Sequence, residues 1–554
     1  MRRKILCACL GFFMAFNSAA LPTQYGFRIS FRDKAGSADI NQPLTFLSQK
    51  ALDRRVKYGI AVDTTDLPVS PAYLDSVKTV TTGLIHTTSR WLNTCVVLVE
   101  DSSTVQALRT KPYITDVEWV GFFSSGLHDM PGKDGDKFND KETEGNQSAL
   151  KTTGSPAYYG ATWDQTEIVN GDCLHDNGWK GEGITIAVLD NGFNYVNSGP
   201  GFDSLFNSGR IVDSYNIARD TSHIYGYATH GTEVLSVLAG YLPSHFVGAA
   251  PLANYALYVT EDVAFEQPIE TDNLIAGVER ADSIGADVVS ISLGYNTFDL
   301  PFPAITNANL DGKTVNSTIA CNMAMRKGLL MILSAGNEGS NGLLSPGDAD
   351  SAITVGNVGV NQQPAGNSGY GPNASGTTKP DVCGMGDPAA VMRWDMTVGY
   401  VSGTSTATPS IAGFAACLLQ GNPNKHPYEI RDALQRAGHT FSNPTQQLGY
   451  GIPDFCAANL ILDVAPVDKP GNDFATIFPN PFSDQLNLTI QASGNEAATI
   501  SLYDVTGKLL MKRQLQINAG TANITIDAAH LSSGLHFLKL QSASKAQTVK
   551  LVKQ

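Results

Sequence analysis

The chain has 554 residues, 52 acidic against 38 basic side chains, a formal charge of −14 at pH 7 and 42% hydrophobic residues. That length exceeds what one hydrophobic core serves and predicts about three or four domains. The acidic balance, with no basic stripe to neutralise phosphates, excludes nucleic acid as a partner.

Arg2, Arg3 and Lys4 precede an apolar stretch from Ile5 to Phe16, and Ser18 and Ala20 supply small residues for cleavage. Residues 1–20 therefore read as a secretory signal peptide, because the stretch is too short to span a bilayer. No later segment is apolar for long enough to cross a membrane. Cys7 and Cys9 leave with the signal, so six of the eight cysteines remain. Export permits disulfides, but the sequence assigns no pairing among six. Cys321 and Cys417 lie in apolar helical patterns and read as buried free thiols. The absence of a CxxC pair leaves zinc and redox sites without support.

Residues 21–121 predict a small α+β domain. Tyr25 to Phe31 alternates as a strand, Leu44 to Tyr58 has helical spacing, and Gly83 to Thr88 and Cys95 to Glu100 are strand-like. A short helix from Ser103 to Thr110 leads to a strand from Ile114 to Val120. The charged residues of this domain read as a solvated face. Residues 122–159 read as a linker, since the stretch from Gly132 to Gly154 is polar, glycine-rich and too poor in apolar residues to order itself.

From 160 to 462, short apolar runs alternate with helical patterns. The runs are Ile184 to Leu189, Tyr255 to Val259, Val288 to Leu293, Leu329 to Ser334 and Ile353 to Val355. Helical spacing appears at Asp272 to Ile284 and Thr318 to Lys327. This rhythm predicts an α/β domain, a parallel sheet with helices on both faces. After a linker at 463–473, residues 474–554 return to short strands divided by turn residues and predict a small antiparallel β-sandwich. Its strands are Leu486 to Ile490, Thr499 to Tyr503, Ala522 to Ile526 and Leu535 to Leu540.

Four positions in the middle domain carry candidate chemistry. Asp190 ends an apolar strand, where functional groups gather in open α/β sheets. His230 opens a helical stripe, a position where the helix dipole disfavours its charged form unless a carboxylate offsets it. Asn337 follows a buried strand and can aim its carboxamide at a developing oxyanion. Ser405 lies among small residues at the start of a helix, and Pro409 removes the N–H that would bond its carbonyl. A serine hydroxyl becomes a nucleophile only when a base takes its proton, and His230 is the candidate base.

The segments IAVLDNG, HGTEV, SAGNEG and SGTSTATPSIAG, in this order, resemble those of the subtilisin-like serine peptidases. FVGAAPLANYALY, ADVVSISLG and QLGYGIPDFCAAN resemble further segments of that family. The resemblance implies a catalytic triad of Asp190, His230 and Ser405, with Asn337 as oxyanion donor. It also implies that Ser292, Leu293 and Gly294 pair with a protein or peptide substrate as an added strand. Thr406, Glu233 and Ser410 depart from the family pattern without removing a catalytic atom. No metal or cofactor is expected. The family's structural calcium ligands are not assignable, and Asp299 and Asp311, which flank a possible loop site, read as surface aspartates.

Residues 21–121 resemble the inhibitory propeptides of secreted subtilases, which implies a zymogen held by its own propeptide. IFPNPF, ISLYDVTGKLL, LSSGLHFLKL and TVKLVKQ resemble the C-terminal sorting domain of type IX secretion in Gram-negative bacteria. That implies the type IX machinery as a partner, passage through the periplasm, and release or retention at the cell surface. The expected active form is a monomer. A catalytically silent peptide-binding protein of the same fold is the alternative. Sedolisin-like peptidases are disfavoured by His230 and Asn337, and a lipase by the lack of a GxSxG turn.

Overall fold

The computed structural model describes residues 23–124, 141–142, 156–226, 228–463, 475–478, 482–492, 496–504, 508–518, 520–542 and 546–553. The expected signal peptide and most of both expected linkers lie outside these residues. The chain divides into two compact units, one ending at Asn459 and one beginning at Leu460.

The first unit opens with strand β1 (Thr23–Phe31), helices α1 (Gln49–Tyr58) and α2 (Pro71–Thr81), and strands β2 (Leu84–Ser89), β3 (Thr94–Val99) and β4 (Ile114–Ser124). The strands form an antiparallel sheet in the order β2-β3-β1-β4. Helix α1 begins later than its apolar spacing suggests because Ser48 accepts the Ala51 N–H and caps it there. Ile29, Val77, Val97, Leu108 and Val117 fill the domain's core. A two-residue strand, β5 (Lys141–Glu142), falls within the stretch expected to be unstructured.

The larger part of this unit is a seven-stranded parallel sheet. Its strands are β6 (Thr185–Asp190), β7 (Ile211–Asn216), β8 (Asn254–Val259), β9 (Val288–Ile291), β10 (Leu330–Ser334), β11 (Ile353–Gly359) and β12 (Val382–Asp387). They lie in the order β12-β11-β10-β9-β6-β8-β7. Strands β6, β9 and β10 are buried throughout, which is why they read as continuous apolar runs rather than alternating ones. The connecting helices are α3 (His230–Ala239), α4 (Ile269–Ile284) and α5 (Asn316–Arg326). A hairpin of β13 (Ala389–Met392) and β14 (Val398–Ser402) leads into α6 (Thr404–Gly421), followed by α7 (Pro427–Arg436) and α8 (Phe455–Asp463). The subtilisin-like α/β architecture is as expected.

One expectation changes. The charged residues of the N-terminal domain are not all a solvated face. Arg28 donates to both carboxylate oxygens of Asp272 on α4, at 2.7 and 2.8 Å. Arg54, Arg55 and Arg90 all donate to Asp282 on the same helix, and Arg54 and Arg55 are buried. Burying a guanidinium is tolerated only with such partners, and they come from residues more than 180 positions away. Around the ion pairs, Val96, Val120 and Phe123 pack on Phe265 and Ile269. Among the cysteines, Cys173 and Cys456 form a disulfide with Cα atoms 6.0 Å apart. Cys95, Cys321, Cys383 and Cys417 are buried free thiols.

The second unit is a β-sandwich. One sheet holds β15 (Ala475–Phe478), β16 (Gln485–Ala492) and β19 (Gly520–Asp527) in the order β15-β16-β19. The other holds β17 (Glu496–Asp504), β18 (Leu509–Ile517), β20 (Gly534–Ser542) and β21 (Ala546–Lys553) in the order β18-β17-β20-β21. All pairings are antiparallel, and alternate residues such as Leu486, Leu488, Ile490, Ile500, Leu502, Leu538 and Leu540 form its core.

Candidate active site

Asp190 is the last residue of β6, the strand flanked by β8 on one side and β9 on the other. Chain order reverses across β6, so its carboxyl end opens onto the crevice where α/β sheets bind ligands. His230 is the first residue of α3. Its Nδ1–H donates to Asp190 Oδ1 at 2.7 Å, and Asp190 Oδ1 also accepts the Asn191 N–H at 2.8 Å. Both side chains are buried. Gly231 makes the approach possible, since a Cβ there would lie 2.4 Å from the Gly192 carbonyl oxygen and 2.9 Å from the Asp190 Cβ.

Ser405 is the second residue of α6 and is also buried. The carbonyl of Ser405 cannot bond the residue four places on, because that residue is Pro409. Ser292, directly after β9, supplies the missing donor: its Oγ–H donates to the Ser405 carbonyl at 2.8 Å. A residue read from sequence as a substrate contact thus also braces the helix turn that carries Ser405.

Asn337 lies three residues beyond β10. Its Oδ1 accepts the Thr404 N–H at 2.9 Å and the Thr404 hydroxyl at 3.0 Å. Backbone N–H can only donate, so this bond fixes the carboxamide with its oxygen toward Thr404 and its NH₂ turned the other way. Nothing in the serine motif, which contains Thr404, singled that residue out.

Ser292, Leu293, Gly294, Asn337 and Ser405 line one pocket, together with Glu261, Glu266, Glu338, Leu344 and Thr404. Asp190 and His230 are not among its lining residues. Gly294 and Gly336 let Leu344 close one wall, since a Cβ on either would sit within 2.6 Å of the leucine side chain. Glu338 lies inside SAGNEG but was not singled out there, and Glu261 and Glu266 lie outside the quoted motifs. Glu261 accepts the Tyr295 O–H at 2.5 Å, and burial with Glu261 alongside pushes the Tyr295 phenol well above its ordinary pKa. Among the two aspartates weighed for calcium, Asp299 accepts the Glu266 N–H, and Asp311 accepts from Lys313 and Thr314 within its own turn.

A parallel sheet carrying an Asp–His pair and a helix-borne serine, with an antiparallel domain docked on helix α4, defines a subtilisin-like architecture. The chain carries a subtilase-family domain. Residues 181–451 match the Subtilase family, 26–130 the peptidase S8 propeptide domain of Bacteroidota, and 476–554 a secretion system C-terminal sorting domain. It is 30% identical over 281 residues to subtilisin NAT of Bacillus subtilis subsp. natto, covering 50% of this chain and 65% of that protein. It is 29% identical over 295 residues to subtilisin of Bacillus pumilus, covering 52% of this chain and 96% of that protein. The match thus spans just under two thirds of the former relative's length. In fold it is similar to fervidolysin from Fervidobacterium pennivorans, a keratinolytic enzyme related to subtilisin. That likeness has a TM-score of 0.55 and 17% identity, covering 97% of this chain and 77% of that one. The sorting domain marks a protein of type IX secretion, released or held at the cell surface. Among the described residues, no helix is long and apolar enough to cross a membrane.

Proposed function

We propose that the protein is a secreted serine endopeptidase in which Ser405 attacks the peptide carbonyl, His230 takes its proton and Asp190 orients the imidazole. The bond of 2.7 Å between His230 Nδ1 and Asp190 Oδ1 carries this reading. Donation from Nδ1 makes Nε2 the basic nitrogen of the neutral ring, the form a general base requires. The buried carboxylate then stabilises the imidazolium formed as the serine proton transfers. Ser405, in the first turn of α6, adds its backbone N–H to the Asn337 carboxamide as a second donor for the tetrahedral oxyanion. His230 next protonates the leaving amine, and water attacks the acyl-enzyme by the same base to regenerate Ser405.

Ser292 to Gly294 pair with the substrate backbone as an added strand, and the N-terminal domain inhibits the same chain until it is removed. No cofactor enters these steps, and the active form is a monomer. Because the neutral imidazole is required, hydrolysis falls as pH drops through the His230 pKa. A fluorophosphonate probe together with digestion of an unfolded protein tests the reading. The wild-type chain labels and digests, whereas Ser405→Ala and His230→Ala do neither. Undiminished digestion by His230→Ala would overturn the assigned base.

A further inference from the structure

We propose that the pocket beside Ser405 selects a lysine or arginine side chain on the acyl side of the cleaved bond, with Glu266 and Glu338 as its charged contacts. This inference rests on the endopeptidase reading and deepens it.

The lining of the pocket that holds Ser405 and Asn337 includes three carboxylates, Glu261, Glu266 and Glu338, and no lysine, arginine or histidine. Three glutamates on this side, Glu261, Glu266 and Glu270, bring carboxylate oxygens within 4.8 Å of one another. Like charges at that spacing repel, so a cation entering between them gains from all of them at once. The rest of the lining suits a long cationic side chain. Leu293 and Leu344 offer apolar surface for a methylene stem, and Glu261, Glu266 and Glu338 line the same pocket as partners for its charged head.

Two of the glutamates brace the protein around the pocket. Glu270 accepts the backbone N–H groups of Asp262 and Gln267 at 2.9 and 3.1 Å, which fixes the loop between β8 and α4. Glu261 accepts the Tyr295 hydroxyl. Glu266, on the loop so fixed, and Glu338, directly after Asn337, are half-buried and face the pocket.

The direction of substrate follows from the chain's own segments at either side of the pocket. On one side the Phe122 N–H donates to Gln267 Oε1 at 2.8 Å, next to Glu266. On the other, Lys141 and Glu142 pair antiparallel with Ser402 and Val401, and Ser402 lies three residues before the nucleophile. The earlier segment is at the glutamate side and the later one at the Ser402 side. A substrate running in the same sense puts the residues preceding its cleaved bond among the glutamates.

The test digests an unfolded protein with the self-matured enzyme and maps the cut sites by mass spectrometry. Peptide pairs that differ only as Lys or Gln before the cut then give kcat/KM. Cuts after Lys and Arg should dominate, with a Lys:Gln ratio of about tenfold or more, as a charge-assisted bond gives. Glu266→Gln should lower the ratio about tenfold, and Glu338→Gln does the same if the first variant is not secreted. Cuts spread without regard to charge, or a ratio unmoved in both variants, would overturn the proposal while leaving the peptidase reading standing. Activity that depends on calcium and is restored by it, with no charge preference, would reassign the glutamates to a metal ion and overturn it likewise. A chain that cuts nothing removes the peptidase reading, and this inference with it.

Discussion

Arg55 of the N-terminal domain reaches Asp282 of helix α4 at 2.8 Å, with both side chains closed to solvent. The same carboxylate takes Arg54 and, at 2.5 Å, Arg90, while Arg55 also donates to Asp66 at 2.8 Å. Asp66 and Asp63 in turn accept from Lys327 at 3.0 and 2.9 Å, so the network also ties the domain to the residue that caps α5. One carboxylate therefore accepts from three guanidiniums at the seam between the N-terminal domain and helix α4. Stranding a buried charge costs about 3–5 kcal/mol. Asp282→Asn, made in a Ser405→Ala background so that no cleavage intervenes, should destabilise the docked N-terminal domain by that order. Denaturant unfolding followed through Trp91 fluorescence reports it, and an unchanged midpoint would show that apolar contacts alone hold the seam.

Asn337→Ala removes a donor without touching the proton relay. The expected loss is about 10²–10³ in kcat with KM little changed, measured on a single peptide substrate. Thr404→Val should give a smaller loss of the same kind, since Thr404 orients the Asn337 carboxamide through its hydroxyl as well as its N–H.

His175 gives the fold a pH dependence of its own. It accepts the Tyr159 O–H through Nδ1 at 2.9 Å and donates through Nε2 to the Ala249 carbonyl at 3.0 Å, an arrangement that fits the neutral ring. Burial depresses its pKa to about 4. The unfolded chain binds this proton near pH 6.5 and the folded chain does not, so stability is full above that value and falls as pH drops toward 4. The loss approaches about 3 kcal/mol. Denaturant midpoints at pH 7.5, 5.5 and 4 should fall in that order, and His175→Gln should flatten the trend.

In the sorting domain, Leu540 is fully buried between the two sheets. Leu540→Ala should cost about 2–5 kcal/mol, enough to unfold a small sandwich. The variant should then accumulate in the periplasm while its peptidase activity persists. Normal appearance at the surface would show that sorting does not need the folded domain.

The parallel sheet was legible because β6, β8, β9 and β10 are almost wholly buried and their residues are mostly apolar. Strand β7 was not read, since IVDSYN lies at a sheet edge with most of its residues partly open. Strand β12 was missed for the opposite reason: VCGMGD is buried but rich in glycine, which weakens a strand pattern. The catalytic candidates were legible as motifs because each follows or begins an element whose pattern is strong. Pro409 announced that the Ser405 carbonyl lacked a helical donor, but nothing local named Ser292, 113 residues earlier, as its replacement. The arginines of α1 misled for a related reason. Helical spacing shows which residues share a face, while the acid that buries that face belongs to another domain.

Cys173 and Cys456 stand 283 positions apart, and their bond closes a ring around the whole central sheet. A nick in any exposed turn inside that ring leaves two fragments that still travel together. Such damage opens the thread without scattering the parts. It stays silent on a gel run without thiols and shows as two bands once they are added.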